Sequence, residues 1–185
     1  MKELCANPTP PENPRSDSNA RANSNTPASD LLIDRLSLEN TAACDAVIDL
    51  WYDGDLINQD TNADDDLQNC YASGRGSVLI ARQSPQQPII ATIMVGHDGI
   101  TGWVHYLVVA SPKRGQGHGA MMLEMAENIL LAAGLATCKV HAASPRAAKF
   151  YRRQGYRQAP APDSGWSAGP AHTDDARFYE KRLTS

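Results

Sequence analysis

The stretch PKRGQGHG, residues 112–119, connects a short apolar run to a long amphipathic segment. The run at 103–109 is nearly continuous in apolar residues, which predicts a strand that is buried on both faces. The amphipathic segment, which ends near Ala133, predicts a helix. Glycines at such a junction let the backbone approach an anion, and the first amides of a helix have no internal partner. With Lys113 and Arg114 nearby, the pattern predicts a phosphate or pyrophosphate site, the alternative being a tight turn with incidental glycines.

Two common phosphate-binding loops do not fit this stretch. A Walker A loop needs Gly-x-x-x-x-Gly-Lys-Ser/Thr, but neither Lys nor a hydroxyl residue follows the glycines here. The dinucleotide fingerprint needs Gly-x-Gly-x-x-Gly, whereas the spacing here is Gly-x-Gly-x-Gly. An enzyme that binds a nucleotide phosphate with this loop remains an open alternative.

The rest of the chain predicts the element order β-α-α-β-β-β-α-β-α-(β)-β, and therefore a single α+β or mixed α/β domain. The predicted strands are 31–38, 77–82, 88–96, 103–109, 136–141 and 176–183. The predicted helices are about 41–52, 62–71, the segment that ends near 133, and 145–154. Asn40 or Thr41 is the expected cap of the first helix, and Asn62 is the expected cap of the second.

Residues 1–29 differ in composition from the rest of the chain. They hold five of the twelve prolines and no Val, Ile, Phe, Trp or Tyr. Such a segment cannot bury enough apolar surface to offset its ordering entropy, which predicts a disordered tail. The predicted domain therefore spans 30–185.

Charge and composition exclude several classes of protein. The formal net charge of −4 argues against a nucleic-acid partner. No run reaches the ~18–20 apolar residues of a membrane span, and no basic segment followed by an apolar run indicates a secretory signal, so a cytoplasmic location is expected. The four cysteines have no Cys-x-x-Cys spacing, which predicts free thiols and no metal site. They are Cys5, Cys44, Cys70 and Cys138.

Two motifs resemble those of one family. The pattern Arg114-x-x-Gly117-x-Gly119, after a strand that ends Leu107-Val108-Val109, resembles the acyl-coenzyme A signature of the GNAT acetyltransferase superfamily. About thirty residues later, Ser144-x-x-Ala147-x-x-Phe150-Tyr151-x-x-x-Gly155-Tyr156 is similar to the family's Asn-x-x-Ala-x-x-Phe/Leu-Tyr-x-x-x-Gly-Phe/Tyr. The resemblance covers about 31–183. The pair Leu50-Trp51 and the stretch 94–99 look like the YpeA-type bacterial subgroup.

The resemblance implies a fold and an activity. The fold is a central, mostly antiparallel sheet of six to seven strands with a parallel splayed pair in the middle, flanked by about four helices. The activity is direct transfer of acetyl from acetyl-CoA to a primary amine in a ternary complex. The acceptor would be a small-molecule amine or a protein N-terminal amine, and the sequence leaves a homodimer open. A non-catalytic acyl-CoA sensor of the same fold remains an alternative, because Ser144 replaces the family's Asn and offers fewer hydrogen bonds.

The resemblance also implies the residues of the site. Acetyl-CoA would contact Leu107, Val108, Val109, Arg114, Gly115, Gln116, Gly117, His118, Gly119, Ser144 and Tyr151. The strand residues would act through their amides, as an oxyanion hole beside the splay. Tyr151 is the expected acid, because a phenol of pKa ~10 can donate to a thiolate whose conjugate acid has a pKa near ~8.5. The alternative is a buried aromatic that anchors its helix to the sheet. His118 is expected to be a solvent-exposed member of the first helical turn.

The general base, which would take the proton of the acceptor amine, is assigned on weaker grounds than the acid. His105 and Tyr106 are neighbours in a strand, so only one of them is expected to face the substrate cleft. His105 is the candidate base, and a water chain is the alternative.

Acidic residues dominate the segment between Ser37 and Gly74, which has no Lys or Arg. They are Glu39, Asp45, Asp49, Asp53, Asp55, Asp60, Asp64, Asp65 and Asp66. In the family the two helices of this segment flank the acceptor cleft, where an acidic rim would concentrate a cationic amine. The alternative is an ordinary solvated helix face.

Overall fold

The computed structural model describes residues 31–160 and 177–184. The predicted disordered tail, which includes Cys5, and residues 161–176 lie outside these ranges. Inside them Cys44, Cys70 and Cys138 are free thiols, as predicted. None of the helices within these ranges combines the length and apolar character needed to cross a membrane.

Within the described ranges the chain forms seven strands and four α-helices. The strands are β1 Leu32–Arg35, β2 Gly76–Arg82, β3 Ala91–His97, β4 Gly102–Val109, β5 Thr137–Ala142, β6 Arg157–Ala159 and β7 Arg177–Arg182. The helices are α1 Thr41–Asp53, α2 Ala63–Ala72, α3 His118–Ala132 and α4 Pro145–Arg153, with a short 3-10 turn at Ser111–Lys113 before α3.

The strands form one sheet in the order β1-β2-β3-β4-β5-β7-β6. All neighbours are antiparallel except β4 and β5, which are parallel. The predicted fold class is therefore confirmed, and β6 is the strand that the sequence left in parentheses. The parallel pair places the C-terminal ends of β4 and β5 at the same edge of the sheet.

Local sequence explains how the first two helices begin. The Asn40 side chain accepts a hydrogen bond from the Ala43 amide at 3.1 Å, and the Asn62 side chain accepts one from the Asp65 amide at 3.4 Å. Both asparagines satisfy a donor that the helix itself leaves unpaired, as the sequence predicts. The first strand is shorter than predicted, because the chain leaves the sheet after Leu36, whose amide still donates to the Val78 carbonyl, and turns toward the Asn40 cap.

The helices cover the two faces of the sheet and create two cores. On one face α3 and α4 pack on side chains such as Leu79, Ile93 and Val104. On the other face α1 and α2 pack on the alternate side chains, such as Val78 and Met94. We call these the α3/α4 face and the α1/α2 face. The alternation follows from the two-residue period of a strand.

The prediction that the fourth strand is buried on both faces is wrong for its second half. Gly102, Val104 and Val108 are buried, but residues 105–107 and Val109 are only partly buried. The physical reason is that β5 separates from β4 beyond Val104, so this part of β4 has no neighbour on one edge.

A charged contact holds α3 to the far end of the sheet. Glu127 of α3 accepts a hydrogen bond from the Tyr156 hydroxyl at 2.9 Å and from the Lys181 ammonium at 2.7 Å. Tyr156 follows α4 and Lys181 belongs to β7. One carboxylate therefore joins three elements that are distant in sequence.

We expect Glu127→Ala to lower the free energy of unfolding by about 2 kcal/mol, the usual cost of removing a hydrogen-bonded charged group that has buried partners. Urea unfolding measures this change. The matched control is Glu124→Ala, one turn earlier on α3 and exposed, for which we expect a change within about 0.5 kcal/mol. Equal effects of the two substitutions would contradict the assigned role of Glu127.

Candidate active site

The parallel strands β4 and β5 stay together for only part of their length. Their register pairs Gly102 with Cys138, Trp103 with Lys139 and Val104 with Val140. Beyond Val104 the strand β4 continues to Val109 without a β5 partner. We call the space between the separated strands the gap.

A bulge in β4 lies where the gap opens. The pairing of β4 with β3 shifts register between Thr92 and Met94, and Tyr106 has a φ of +49°, in the left-handed region. An extra residue in one strand interrupts the alternation of its side chains.

Because of the bulge, His105 and Tyr106 both face α1 and α2. The His105 ring contacts the Trp103 ring at 5.2 Å, and the Tyr106 ring stacks on Trp51 of α1 at 4.2 Å. The expectation that only one of the two neighbours faces the cleft is therefore wrong. It assumed regular alternation, which holds only for a strand without a bulge.

Beyond the bulge the backbone alternation resumes. The Ala110 amide donates to the Ile90 carbonyl at 2.8 Å, on the β3 side, and Val108 is paired with Thr92 on that side. The backbone groups of Leu107 and Val109 therefore face the gap, while the Val108 amide faces β3. Two of the three predicted strand residues are thus placed to offer an amide to a carbonyl oxygen in the gap.

The glycine-rich loop sits at the end of β4 and forms an anion-binding shape. Gly115 and Gly117 have φ values of +81° and +88°, a conformation that a residue with a Cβ rarely adopts. Gly117 is the N-cap of α3 and supplies no side-chain cap to the first amides of the helix. Successive amides in such a loop form a concave nest, and the helix dipole adds partial positive charge.

Side chains of the loop fasten it to the sheet. The Arg114 Nε donates to the Val109 carbonyl at 2.8 Å, and the Lys113 ammonium donates to the Gln83 side chain at 3.1 Å. The Gln116 side-chain amide donates to the Pro112 carbonyl at 3.4 Å. The loop therefore has a fixed position relative to the gap.

His118 is not the exposed residue that the sequence predicts. Its side chain is 1% exposed, and neither ring nitrogen has a hydrogen-bond partner. Burial, together with nearby Lys113, lowers the pKa of the imidazole. The side chain is buried because α3 begins at His118 and its ring is directed into the protein. Only the backbone amide of His118 therefore belongs to the loop.

The second motif includes α4, which packs next to the glycine-rich loop. The Ser144 hydroxyl oxygen accepts from the Ala147 amide at 3.1 Å and caps α4. A methyl group at Gly119 would contact Val109 at 3.6 Å and Phe150 at 3.7 Å, so loop, strand end and α4 converge.

Tyr151 lies inside the protein beside this convergence. It is 6% exposed, and its ring packs edge-on against Phe150 at 5.2 Å and Tyr156 at 5.5 Å. Burial raises the pKa of the Tyr151 hydroxyl above its ordinary value. The phenol therefore remains protonated, as a proton donor must.

On the α1/α2 face, polar contacts hold the bulge. The Tyr106 hydroxyl donates to the Asp66 carboxylate of α2. The Trp51 indole donates to the Thr92 hydroxyl at 2.9 Å, and that hydroxyl donates to the Tyr106 carbonyl at 3.3 Å. Burial and the adjacent Asp66 raise the pKa of Tyr106. Sequence reasoning missed this group, and its only signals were a tryptophan in α1 and one carboxylate of an acidic run.

His141 is a second residue that sequence reasoning passed over. Val104 and Val140 form the last β4–β5 pair, so the residues that follow them, His105 and His141, face each other across the start of the gap. Burial, followed by the neighbouring His141, lowers the pKa of His105 to about 4. In residues 31–160 and 177–184 no group of three or more His, Cys, Asp or Glu side chains is placed to hold a metal ion.

Part of the chain is similar to a known domain family. Residues 74–158 match the model of the acetyltransferase (GNAT) domain. This range runs from just before β2 into β6, so it includes the loop and α4. No curated protein matches the chain.

Solved acetyltransferase structures share the architecture. An acetyltransferase from Streptococcus agalactiae has a TM-score of 0.66 at 19% identity, over 83% of this chain and 99% of that chain. A GNAT family acetyltransferase from Elizabethkingia anophelis, with acetyl-CoA bound, has a TM-score of 0.61 at 15% identity, over 83% and 99%. An aminoglycoside 6'-N-acetyltransferase complexed with coenzyme A has a TM-score of 0.62 at 15% identity, over 83% and 98%.

The chain therefore has the fold of the GNAT acetyltransferases, and its central segment matches the GNAT domain. This agrees with the family resemblance of the two motifs. The finer likeness to the YpeA-type subgroup stays a prediction.

The low pKa of His105 predicts how stability depends on pH. Unfolded, this imidazole binds a proton below about pH 6.5; folded, it stays neutral until about pH 4. The free energy of unfolding should therefore fall as pH decreases from about 6.5 to 4. Buried His118 contributes in the same direction. Urea unfolding across this range should show a shallower fall for His105→Gln, and identical slopes for variant and wild type would contradict the assignment.

Proposed function

We propose that the protein transfers the acetyl group of acetyl-CoA directly to a primary amine. The observation that carries this proposal is the gap between β4 and β5, which opens beside the glycine loop and is bordered by the amides of Leu107 and Val109. A thioester carbonyl needs such amides, and a pyrophosphate needs such a loop.

The residues suggest where acetyl-CoA binds. Its pyrophosphate would lie on the loop amides of 114–119, and its pantetheine arm would run along the gap toward Tyr151. Ser144, whose oxygen accepts the helix-cap hydrogen bond, keeps its hydroxyl proton and one lone pair to offer to the arm. The Arg114 contact with Val109 keeps loop and gap in register.

The reaction needs few chemical steps. An acceptor that arrives as an ammonium ion first gives one proton to water. The neutral amine then attacks the thioester carbonyl carbon and a C–N bond forms, while the carbonyl oxygen takes negative charge beside the amides of Leu107 and Val109. When the C–S bond breaks, the Tyr151 hydroxyl gives its proton to the departing thiolate. The surplus proton on the acceptor nitrogen leaves to His105, which is neutral at pH 7, or to water.

Direct transfer is favoured over a covalent acyl-enzyme. A cysteine nucleophile must be accessible and present as thiolate. The three cysteines of the described ranges are buried, and burial raises the pKa of Cys70 and of Cys138 to about 12.

We expect Tyr151→Phe to lower kcat by about 10²-fold or more, because the departing thiolate loses its proton donor. Acetyl-CoA affinity should be retained, since the phenyl ring preserves the packing. Free-thiol release with a panel of amines measures kcat, and titration calorimetry measures binding.

Two results would separate this enzyme from its alternative. A wild-type protein that binds acetyl-CoA but releases no thiol with any amine would support a non-catalytic acyl-CoA sensor, which the capping role of Ser144 favours. Unchanged turnover of Tyr151→Phe would remove this residue from the mechanism.

The acceptor is proposed to be a cationic amine that approaches along the α1/α2 face. Asp66 is the acidic residue that the structure connects to the gap, through Tyr106. Other carboxylates, such as the exposed Asp64, lie on the same helix and contribute to a negative field at its start. Such a field raises the local concentration of cations.

We expect Asp66→Asn to raise KM for a diamine such as putrescine by about threefold to tenfold, because the side-chain oxygen of Asn can still accept the Tyr106 hydrogen bond while the negative charge that attracts the cation is removed. The matched control is Asp64→Asn, which should have a smaller effect. Steady-state rates at low and high salt measure both, and high salt should reduce the difference. Equal KM values for wild type and Asp66→Asn would contradict the proposed acceptor path.

A further inference from the structure

We propose that His141 of β5 relays a proton: it receives the proton that His105 takes from the acceptor nitrogen and passes it on to water. The proposal rests on the acetyl transfer proposed above, with His105 as the base. It adds a residue from a different strand to the reaction.

The first argument is the position of the two imidazoles. Val104 and Val140 are the last β4–β5 pair, and both belong to the core on the α3/α4 face. Side chains alternate along a strand, so His105 and His141 project from the opposite face. They lie side by side where the strands separate, at the entrance to the gap.

The second argument concerns the surroundings of His105. Its ring lies against Trp103 at 5.2 Å and near Tyr106 at 6.2 Å, between aromatic side chains. Burial among aromatic rings disfavours the protonated, positively charged form of the imidazole. It can accept a proton during the attack, but it must release that proton before the next turnover.

The third argument is the position of His141 relative to the helices. Among the described elements, α1 and α2 pack chiefly on β2, β3 and β4. The face of β5 that carries His141 continues instead into β7, where Phe178 contacts the His141 ring at 5.1 Å. Exposed Glu180 lies further along this face. His141 is only partly buried as a residue, but its Nε2 is fully buried, so the proposed exit of the proton to water runs through Nδ1.

The proton count closes over one turnover. Formation of the C–N bond leaves one surplus proton on the acceptor nitrogen, which moves to His105, then to His141, then to water. The proton that Tyr151 gives to the thiolate is a separate one, and the resulting tyrosinate recovers a proton from water. The products are an N-acetyl amine and a free thiol, with no change of redox state.

Several charged or titratable groups face the pair and enter its pH dependence. Tyr106 adjoins His105 on β4, and Asp66 of α2 binds the Tyr106 hydroxyl. Lys139 lies two residues before His141 on the same face of β5. Its neighbour in the register of β5 and β7 is Glu180. Each of these groups is retained in the variants below.

The test compares His141→Gln and His141→Ala with the control Thr137→Val, which lies on the same face of β5 but away from the gap. Thiol release is measured from pH 5 to 9 with acetyl-CoA and four amines: putrescine, tyramine, kanamycin and a peptide with a free N-terminus. Calorimetry gives the affinity for acetyl-CoA. The imidazole NMR signal of His105 gives its pKa directly.

We expect His141→Gln to lower kcat about tenfold or more, within the range of general acid–base contributions. Its affinity for acetyl-CoA should be unchanged, and the pKa of His105 should rise because a neighbouring imidazole is removed. Added imidazole should restore part of the rate of His141→Ala. Thr137→Val should behave as wild type in every measurement.

Two outcomes overturn the relay alone. One is an active wild type whose rate and pH profile are unchanged in His141→Gln. The other is a loss of rate without imidazole rescue and without a shift of the His105 pKa, which would make His141 a packing partner of Phe178. A wild type that neither binds acetyl-CoA nor releases thiol overturns acetyl transfer itself, and the relay with it.

Discussion

The structure depends on one strained residue, Tyr106, whose left-handed backbone forms the bulge of β4 just beyond the last residue paired with β5. A residue with a Cβ pays roughly 1–2 kcal/mol in this conformation. Stacking on Trp51, at about 0.5–1.5 kcal/mol, and the hydrogen bond to the Asp66 carboxylate, at about 1.5–3 kcal/mol, offset that cost. The sheet can therefore open in its middle, where regular pairing would otherwise close the gap and occupy the amides that border it.

The two faces of the sheet contribute different residues to the candidate site. The α3/α4 face supplies the glycine loop and Tyr151, which belong to the acyl donor in the proposed reaction. The α1/α2 face supplies Tyr106, Asp66, His105 and His141, which in the same proposal serve the acceptor. The gap connects the two faces of the sheet. In the proposed reaction the donor and the acceptor, one from each face, can therefore meet there without crossing a packed core.

Short contacts bring together residues that are far apart in the chain. Arg114 binds the carbonyl of Val109, and Gly119 leaves room for both Val109 and Phe150. A methyl group at position 119 would fit in ordinary van der Waals contact with both, whereas a longer side chain there would meet Val109 and Phe150. The geometry of the site thus rests on close packing more than on any single ion pair.

The sequence by itself determined the element order, the capping asparagines, the glycine loop and the motif around Tyr151, because periodicity, caps and glycines are local signals. It also indicated the GNAT fold, since two motifs occur in the expected order. It could not determine that His105 and Tyr106 share a face, that His118 is buried, or that His141 lies beside His105. Those facts depend on a bulge, on helix orientation and on the register of two strands more than thirty residues apart, which only the assembled sheet decides.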